Sequence, residues 1–566
     1  MKKTKKRLFV AALCLVTASG IIVICALNPG VINFTILNKP SVNTDSATNT
    51  DSITELNKPS VNTDSITDIT KGSVPGVKSA IHGYGVSTNS KIATKIGMTV
   101  LENGGNAVDA AIAVAYTLGT VAPDTCGVGG GGGMLVYNPE NNEYKFFNYY
   151  SSAPTSSEYS KVAVPGFVAG MEEVWKTYGT KSMKELLQPS VDYAENGFVI
   201  SEFGARSFNS NPAVSRTYLN FDSSPAVLSG GEWLTQPQLA VTLRKIQENG
   251  ADAFYHGEIA QGICDITTLK MDDFSDYKVT VEEAVTGSFY SYNIASAPPP
   301  FSGITLIQML EAFELTDIPN PKDNEVRYLD LLKSISEETH ADRIKNICDP
   351  RFSKISNDDL TNKNYVSELV GIDRSNYYSE EEEHESTTHI AVIDKNGMVV
   401  SSTNTLSSFY GSEVFSQGFF LNNSTSTFSS GINAYEKGKR PRTFISPTII
   451  QGEDGFVMSI GSPGGNRIVK VLTPIILDSL IFEADLQKSI NKNRAVFTGK
   501  NTLTLENSPD REAPFLTGAL NKYYVVSKIS DSFFGSVQAV GYSNTKKMFG
   551  GADPRRDGLI EVKNIN

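Results

Sequence analysis

At 566 residues the chain is roughly three to four times the usual length of one compact domain, so it is neither a peptide nor a small disulfide scaffold. Its 62 acidic and 50 basic residues give −12, and residues 1–44 hold six of the basic ones and no acid, leaving −18 for the remainder, which argues against bulk attraction to nucleic acid. Five cysteines, Cys14, Cys25, Cys126, Cys264 and Cys348, two of them in the N-terminal apolar run, make neither a disulfide framework nor a zinc-ligand spacing, so no metal is expected.

In chain order, Met1-Lys-Lys-Thr-Lys-Lys-Arg7 precedes twenty uncharged positions, 8–27. A basic start before an apolar run is an export signal, either a cleaved signal peptide or a helix retained as a membrane anchor, which needs about 20 apolar residues. Cys25 also raises lipidation, but Ile24 stands where a small residue is expected, and the alternative is an apolar cysteine within a membrane helix. Residues 28–82 are rich in Asn, Thr, Ser and Asp, and repeat Leu37-Asn-Lys-Pro-Ser-Val-Asn-Thr-Asp-Ser46 at 56–65. Such a segment buries too little apolar surface to offset its chain entropy and is expected to be a flexible stalk. The globular body is expected from residue 83.

Helical spacing of apolar residues predicts helices over 91–102, 107–118, 167–178, 183–196, 239–249 and 303–313. Strands are predicted over 135–137, 390–394, 399–403 and 457–460. Helices first and strands later suggest an α+β layered fold with the chemistry on the strand-rich part. Gly127, Gly129 and Gly132 satisfy GxGxxG formally, yet they follow a helix and precede a strand, the reverse of a pyrophosphate site, so close backbone packing is the better explanation.

The stretch His384-Glu-Ser-Thr387-Thr-His389 through Thr405 reads as a β-hairpin turning at Lys395-Asn-Gly397. Counting outward symmetrically, Asp394 faces Met398 and Thr387 faces Thr405, unless a bulge shifts the register by one. Two threonine hydroxyls then stand on opposed positions, although most opposed threonines are only strand formers.

Five motifs now converge: Ser386-Thr-Thr-His389, Gly104-Gly-Asn-Ala-Val-Asp-Ala-Ala111, Pro298-Pro-Pro-Phe-Ser-Gly303, Lys439-Arg-Pro441 with Ser446-Pro-Thr448, and Gly461-Ser-Pro-Gly-Gly465. Together they resemble the γ-glutamyltransferase family of N-terminal-nucleophile hydrolases, from about residue 83 to 560. Segments 385–389, 402–406 and 461–468 look most like members that depolymerise capsular poly-γ-glutamate. The resemblance implies a four-layer αββα sandwich and an autoprocessing enzyme without a cofactor. The proenzyme would cut Ser386–Thr387 to give a heterodimer of 83–386 (with whatever precedes it) and 387–566. A threonine hydroxyl is a poor nucleophile, but the freed α-amine, with a pKa of about 7.7–8.0, can take its proton. Thr405 would polarise the Thr387 hydroxyl, and the N–H groups of Gly464 and Gly465 would stabilise the oxyanion, one such donor being worth about 2.7–4 kcal/mol. Without the family, the 461–465 glycines read as a tight turn. Attack on a γ-glutamyl amide would leave an ester on Thr387 for water or an amine to release. His389 lies two residues on, on the same face, and is taken as structural because the α-amine fills the base role.

Departures bear on substrate. Family members that take glutathione clamp a free γ-glutamyl head group, but their arginine falls here at Tyr150, their aspartate at Thr427, and their serine pair at Thr443 and Phe444. Residues 428–440 are too few for the lid seen in several of them. An open cleft for the interior of a polymer follows, although members that cut poly-γ-glutamate also keep the arginine absent at Tyr150. A polyanion needs local cations, and Asn466, Arg467, Arg442, Arg555 and Arg556 are the substrate-binding candidates, with Lys437, Lys439 and Arg440 either contacts or a solvated turn. The expected protein is exported to the cell surface, anchored or secreted, touches membrane only through its N-terminal segment, and acts on a γ-glutamyl polymer or peptide with water or an amine as acceptor. The alternatives are a general γ-glutamyltransferase or glutathione hydrolase, and a non-catalytic surface binding protein whose chain stays uncut. No HExxH, GxSxG or Walker A sequence supports another chemistry.

Overall fold

A computed structural model describes residues 23–28, 31–36, 81–219, 227–353, 356–370, 386–499, 501–511, 520–529 and 534–565. The chain divides into residues 1–58 and 59–566. In the first unit, Val23–Asn28 and Val31–Ile36 pair antiparallel. These strands replace the end of the expected apolar helix and the start of the expected stalk, and their β-branched Val23, Ile24, Val31 and Ile32 favour extended backbone. The remainder of the export signal and the repeat lie outside the described residues. Among those described, no helix is long and apolar enough to cross a membrane.

In the second unit, two antiparallel sheets are stacked. One has seven strands in the order Leu559–Asn564, Gly83–Thr88, Ser386–Ile393, Val399–Ser407, Gly131–Asn138, Glu143–Asn148 and Thr280–Glu283. The other has six, Met548–Ala552, Gln538–Tyr542, Val457–Gly461, Thr448–Gly452, Tyr292–Ser296 and Val285–Phe289. Ala391, Ile393, Val399 and Leu135 from the first meet Ile449, Val457 and Val540 from the second in one buried cluster between the sheets.

The opposite face of the first sheet, through Ile390, Val392, Val400 and Val136, packs on helices Lys91–Glu102, Ala107–Val121, Phe167–Tyr178, Met183–Asn196 and Pro237–Tyr255. The second sheet buries Ile294, Ile450, Met458 and Ile460 against Gly303–Glu314, Glu325–Asn346 and Ile468–Leu480. The result is the α+β, four-layer αββα sandwich. Because both faces of the Ser386–Ile393 strand are covered, Ile390-Ala-Val-Ile393 is apolar at successive positions rather than alternating.

Boundaries moved where tertiary contacts extend an element. The 107–118 helix continues to Val121, and the 239–249 helix reaches Tyr255 across a break at Gly250. Helix Glu325–Asn346 has no readable apolar stripe, because its buried face includes Glu338, Asp342 and Arg343. The glycine run is a matter of close approach: a Cβ on Gly129 would stand 2.1 Å from the Phe420 carbonyl oxygen, and one on Gly132 2.3 Å from that of Thr403.

The Gly104 to Ala111 motif is a helix start. Asn106 caps Ala107–Val121, and the buried Asp109 accepts hydrogen bonds from the backbone N–H of Asn106 (3.0 Å), Thr180 (2.9 Å) and Lys181 (3.1 Å). Asp394, at the hairpin turn, accepts from Ala107 N at 2.9 Å, which ties the hairpin to the same helix N-terminus. Asp109→Ala strands three backbone donors and is expected to lower the unfolding free energy by about 2 kcal/mol or more in urea titrations, whereas an exposed change such as Glu102→Ala is expected to be near neutral.

Candidate active site

The hairpin turns as its sequence dictates: Asp394 N donates to Met398 O (3.1 Å), and Gly397 takes φ 89°. Thr388 pairs with Asn404 and Ser386 with Ser407, so Thr405 and Leu406 form a bulge opposite Thr387. There the Thr387 hydroxyl lies 3.1 Å from Thr405 Oγ1, and both hydroxyls donate to the carbonyl oxygen of Ser386. Ser407 N donates to Thr405 Oγ1 at 2.8 Å, so the Thr405 oxygen is held from two sides. The Ser386 side chain is pinned in turn, its hydroxyl 3.0 Å from the carbonyl oxygens of Asp124 and Thr125.

These groups open on a cleft of about 220 Å³ that Thr387 and Thr405 line together with Gly465, Arg442 and Ile468. Tyr150, Thr427, Thr443 and Phe444, scattered over almost three hundred residues of sequence, line it as well. The buried Tyr150 packs edge-on against Phe301 at 5.7 Å, and its hydroxyl is 3.4 Å from Ser407 Oγ. Phe444 carries the Arg343 guanidinium 3.7 Å above its ring. Much of the wall is therefore neutral.

Gly464 and Gly465 follow the Val457–Gly461 strand with φ 138° and 56°, left-handed values that side chains resist, and Gly465-Asn466-Arg467 forms a 3-10 turn leading into Ile468–Leu480. Gly465 thus faces the cleft at the start of a helix, where N–H groups and the helix dipole favour negative charge.

The cationic candidates separate. Arg556 reaches the Thr387 backbone, its Nη1 3.4 Å from Thr387 O, with its guanidinium over Phe203 and Phe409 at 5.4 and 5.3 Å. Arg442 lines the cleft while its Nη1 caps the end of Glu325–Asn346 through the carbonyls of Arg343, Ile344 and Ile347. Arg467 is buried in the turn beside Asn466. Arg555 is a correction: buried in the protein, it gives all five N–H donors to Glu506, Asp553 and the carbonyls of Ile490 and Lys492, and has none left for substrate. Lys439 and Arg440 are no solvated turn either. Lys439 is buried on Glu436 and Ile432 O, and Arg440 holds Tyr150 O (3.0 Å) and Lys278 O. Lys437 stays exposed.

His389 is buried between the sheets, with Nδ1 2.8 Å from Thr403 Oγ1 and Nε2 3.4 Å from Ser401 Oγ. Its ring fills the space a Cβ on Gly461 would need, at 2.3 Å. Burial pushes its pKa down to about 3, so it is neutral at working pH. Ser407, absent from the sequence reading, lines the cleft with Thr405, but it lies across the register slip at φ 78°, so the strand period gave no signal for it. The Asp124 and Thr125 carbonyls had no signal, since their identity is irrelevant to the contact.

Two outcomes follow from this geometry. An unfolded histidine titrates near pH 6.5, so between about 6.5 and 3 the unfolded chain binds a proton that the folded chain refuses, and stability falls as pH falls. His389→Gln should remove that share, up to about 1.4 kcal/mol per pH unit, from the acid slope of urea unfolding. Arg555→Ala leaves Glu506 and Asp553 short of their cation and is expected to cost about 3–5 kcal/mol in stability, with KM of the surviving folded enzyme unaltered.

The comparisons agree with this architecture. A family profile described as gamma-glutamyltranspeptidase matches residues 93–562. The chain is 40% identical over 482 residues to the capsule biosynthesis protein CapD proenzyme of Bacillus anthracis, covering 84% of this chain and 90% of that one. It is 29% identical over 535 residues to the glutathione hydrolase proenzyme of Bacillus subtilis (strain 168), again covering 84% and 90%. Among solved structures, a cephalosporin acylase from Bacillus halodurans shares the fold with a TM-score of 0.74 at 22% identity, over 88% of this chain and 99% of that one. With the profile spanning most of the globular body and a relative at 40% identity, this chain belongs to the gamma-glutamyltranspeptidase family and is an enzyme of that type.

Proposed function

We propose that Thr387 is the nucleophile of an exported, autoprocessing γ-glutamyl hydrolase and transpeptidase whose substrate is poly-γ-glutamate. The observation that carries the mechanism is the contact of the Thr387 and Thr405 hydroxyls with the Ser386 carbonyl at a strand bulge. Oγ1 of Thr387 adds to the Ser386 carbonyl carbon, the Ser386–Thr387 C–N bond breaks, and water hydrolyses the resulting ester, leaving Ser386 as a carboxylate and Thr387 as a chain start. Thr405 polarises the hydroxyl and Arg556 steadies the segment from the Thr387 carbonyl side.

In turnover the α-amine of Thr387 takes the hydroxyl proton, Gly464 and Gly465 N–H groups receive the oxyanion, and a γ-glutamyl ester passes to water or an amine. Arg442, Asn466 and Arg467 are the remaining candidates to meet substrate carboxylates. Support for a polymer comes from the cleft, where Tyr150, Thr427, Thr443 and Phe444 replace an ionic clamp for a free head group. It also comes from 40% identity to a protein named for capsule biosynthesis. Export rests on the basic and apolar residues 1–27.

Wild type should run on a denaturing gel as two pieces, the smaller of 180 residues beginning Thr-Thr-His-Ile, and Thr387→Ala as one. Thr405→Ala should slow turnover on the order of tenfold or more, the worth of one hydrogen bond to a developing charge. Poly-γ-glutamate should be shortened at a higher kcat/KM than a γ-glutamyl anilide or glutathione is cleaved. Preference for glutathione would instead assign a general γ-glutamyltransferase, and an uncut wild type would remove the mechanism.

A further inference from the structure

One wall of the cleft continues outward as a row of rings. Phe428, which lines the cleft with Thr387, meets Tyr435 edge-on at 5.2 Å, and Tyr435 meets Tyr159 at 5.4 Å. Tyr159 is 60% exposed, so the outer end of the row stands open to solvent. The row is held rigidly at its centre, where the Tyr435 hydroxyl donates to Glu158 O at 3.0 Å. Lys437, exposed and 3.4 Å from Ser156 O, stands beside it. Glu436 nearby is already paired with Lys439, and Glu158 adds an acid of its own.

From these contacts we infer that Phe428, Tyr435 and Tyr159 form an extended subsite for the further γ-linked units of the polymer, those joined to the α-nitrogen of the unit that acylates Thr387. The inference rests on the polymer reading above. A γ-linked unit has two methylenes and a planar amide between successive α-carbons, and spans roughly 6 Å by its bond lengths. Each step of the row, 5.2 and 5.4 Å, is close to that span, so successive methylene and amide segments can lie on successive rings. The carboxylates then point away from the rings into water, with Lys437 within reach of one of them. Thr427, neutral and next to Phe428, leaves the path from the cleft to the row free of an acid that would repel the chain or demand a free amine. A small γ-glutamyl donor has no further unit to lay on Tyr435 and Tyr159.

The test uses the mature full chain and measures kcat/KM for γ-linked glutamate oligomers of two to ten units and for a γ-glutamyl anilide. For wild type, kcat/KM should rise with oligomer length over the first few units and then level off. In Tyr159→Ala the ratio of decamer to anilide should fall roughly three- to tenfold, while Tyr159→Phe keeps the wild-type ratio. Lys437→Ala should lower the same ratio less, and its effect should vanish in high salt. Wild type that cuts oligomers with no length dependence, or a Tyr159→Ala ratio equal to that of wild type, overturns the subsite and leaves the polymer reading standing. Wild type that cleaves the anilide and no oligomer overturns the polymer reading itself, and the subsite with it.

Discussion

The rest of the structure depends on one irregular place in an otherwise regular strand pair. At Thr387 the ladder between Ser386–Ile393 and Val399–Ser407 slips by one residue. Beside the slip the Ser386 carbonyl oxygen accepts from the hydroxyls of Thr387 and Thr405. Such a bulge is stable here because the strands are central. Their outer neighbours are Gly83–Thr88 and Gly131–Asn138, the helix layer covers one face, and the second sheet covers the other. The glycine run in Gly131–Asn138 lets that neighbour approach without side chains in the way. A site so enclosed positions two weakly reactive alcohols within hydrogen-bonding distance at little cost in local freedom.

The second sheet has its own part. Val457–Gly461 delivers the Gly464-Gly465 turn to the same cleft, and His389 spans the gap between the two sheets as a neutral, buried ring against Gly461. A charged imidazole there would carry a large desolvation cost, and its lowered pKa expresses that cost. His389, two residues beyond Thr387, thus belongs to the packing that spaces the Ser386–Ile393 strand from the Gly461–Gly465 turn.

Most of the buried cations are spent on the fold itself. Arg555, Arg440 and Lys439 are consumed inside the protein, stitching the C-terminal segment and the Tyr150 backbone into place. What faces the cleft is mostly hydroxyl and ring, with Arg442 among the lining residues and Arg556 behind Thr387. Phe428 on that wall leads to the rings of Tyr435 and Tyr159.

The sequence by itself determined the elements whose signals are local. These include the capped helices at Lys91 and Ala107, the Lys395-Asn-Gly397 turn, and, by counting from that turn, the opposition of Thr387 and Thr405. A strand's period and a turn's φ are properties of a few consecutive residues. Tertiary structure alone decided which cations were spent, since Arg555 and Arg556 are adjacent in sequence and differ only in whether Glu506 and Asp553 or the Thr387 carbonyl lies within reach. It alone gathered Tyr150, Thr427 and Phe444 around one cleft and aligned Tyr159 with Tyr435, because contacts across hundreds of residues leave no period in the chain that makes them.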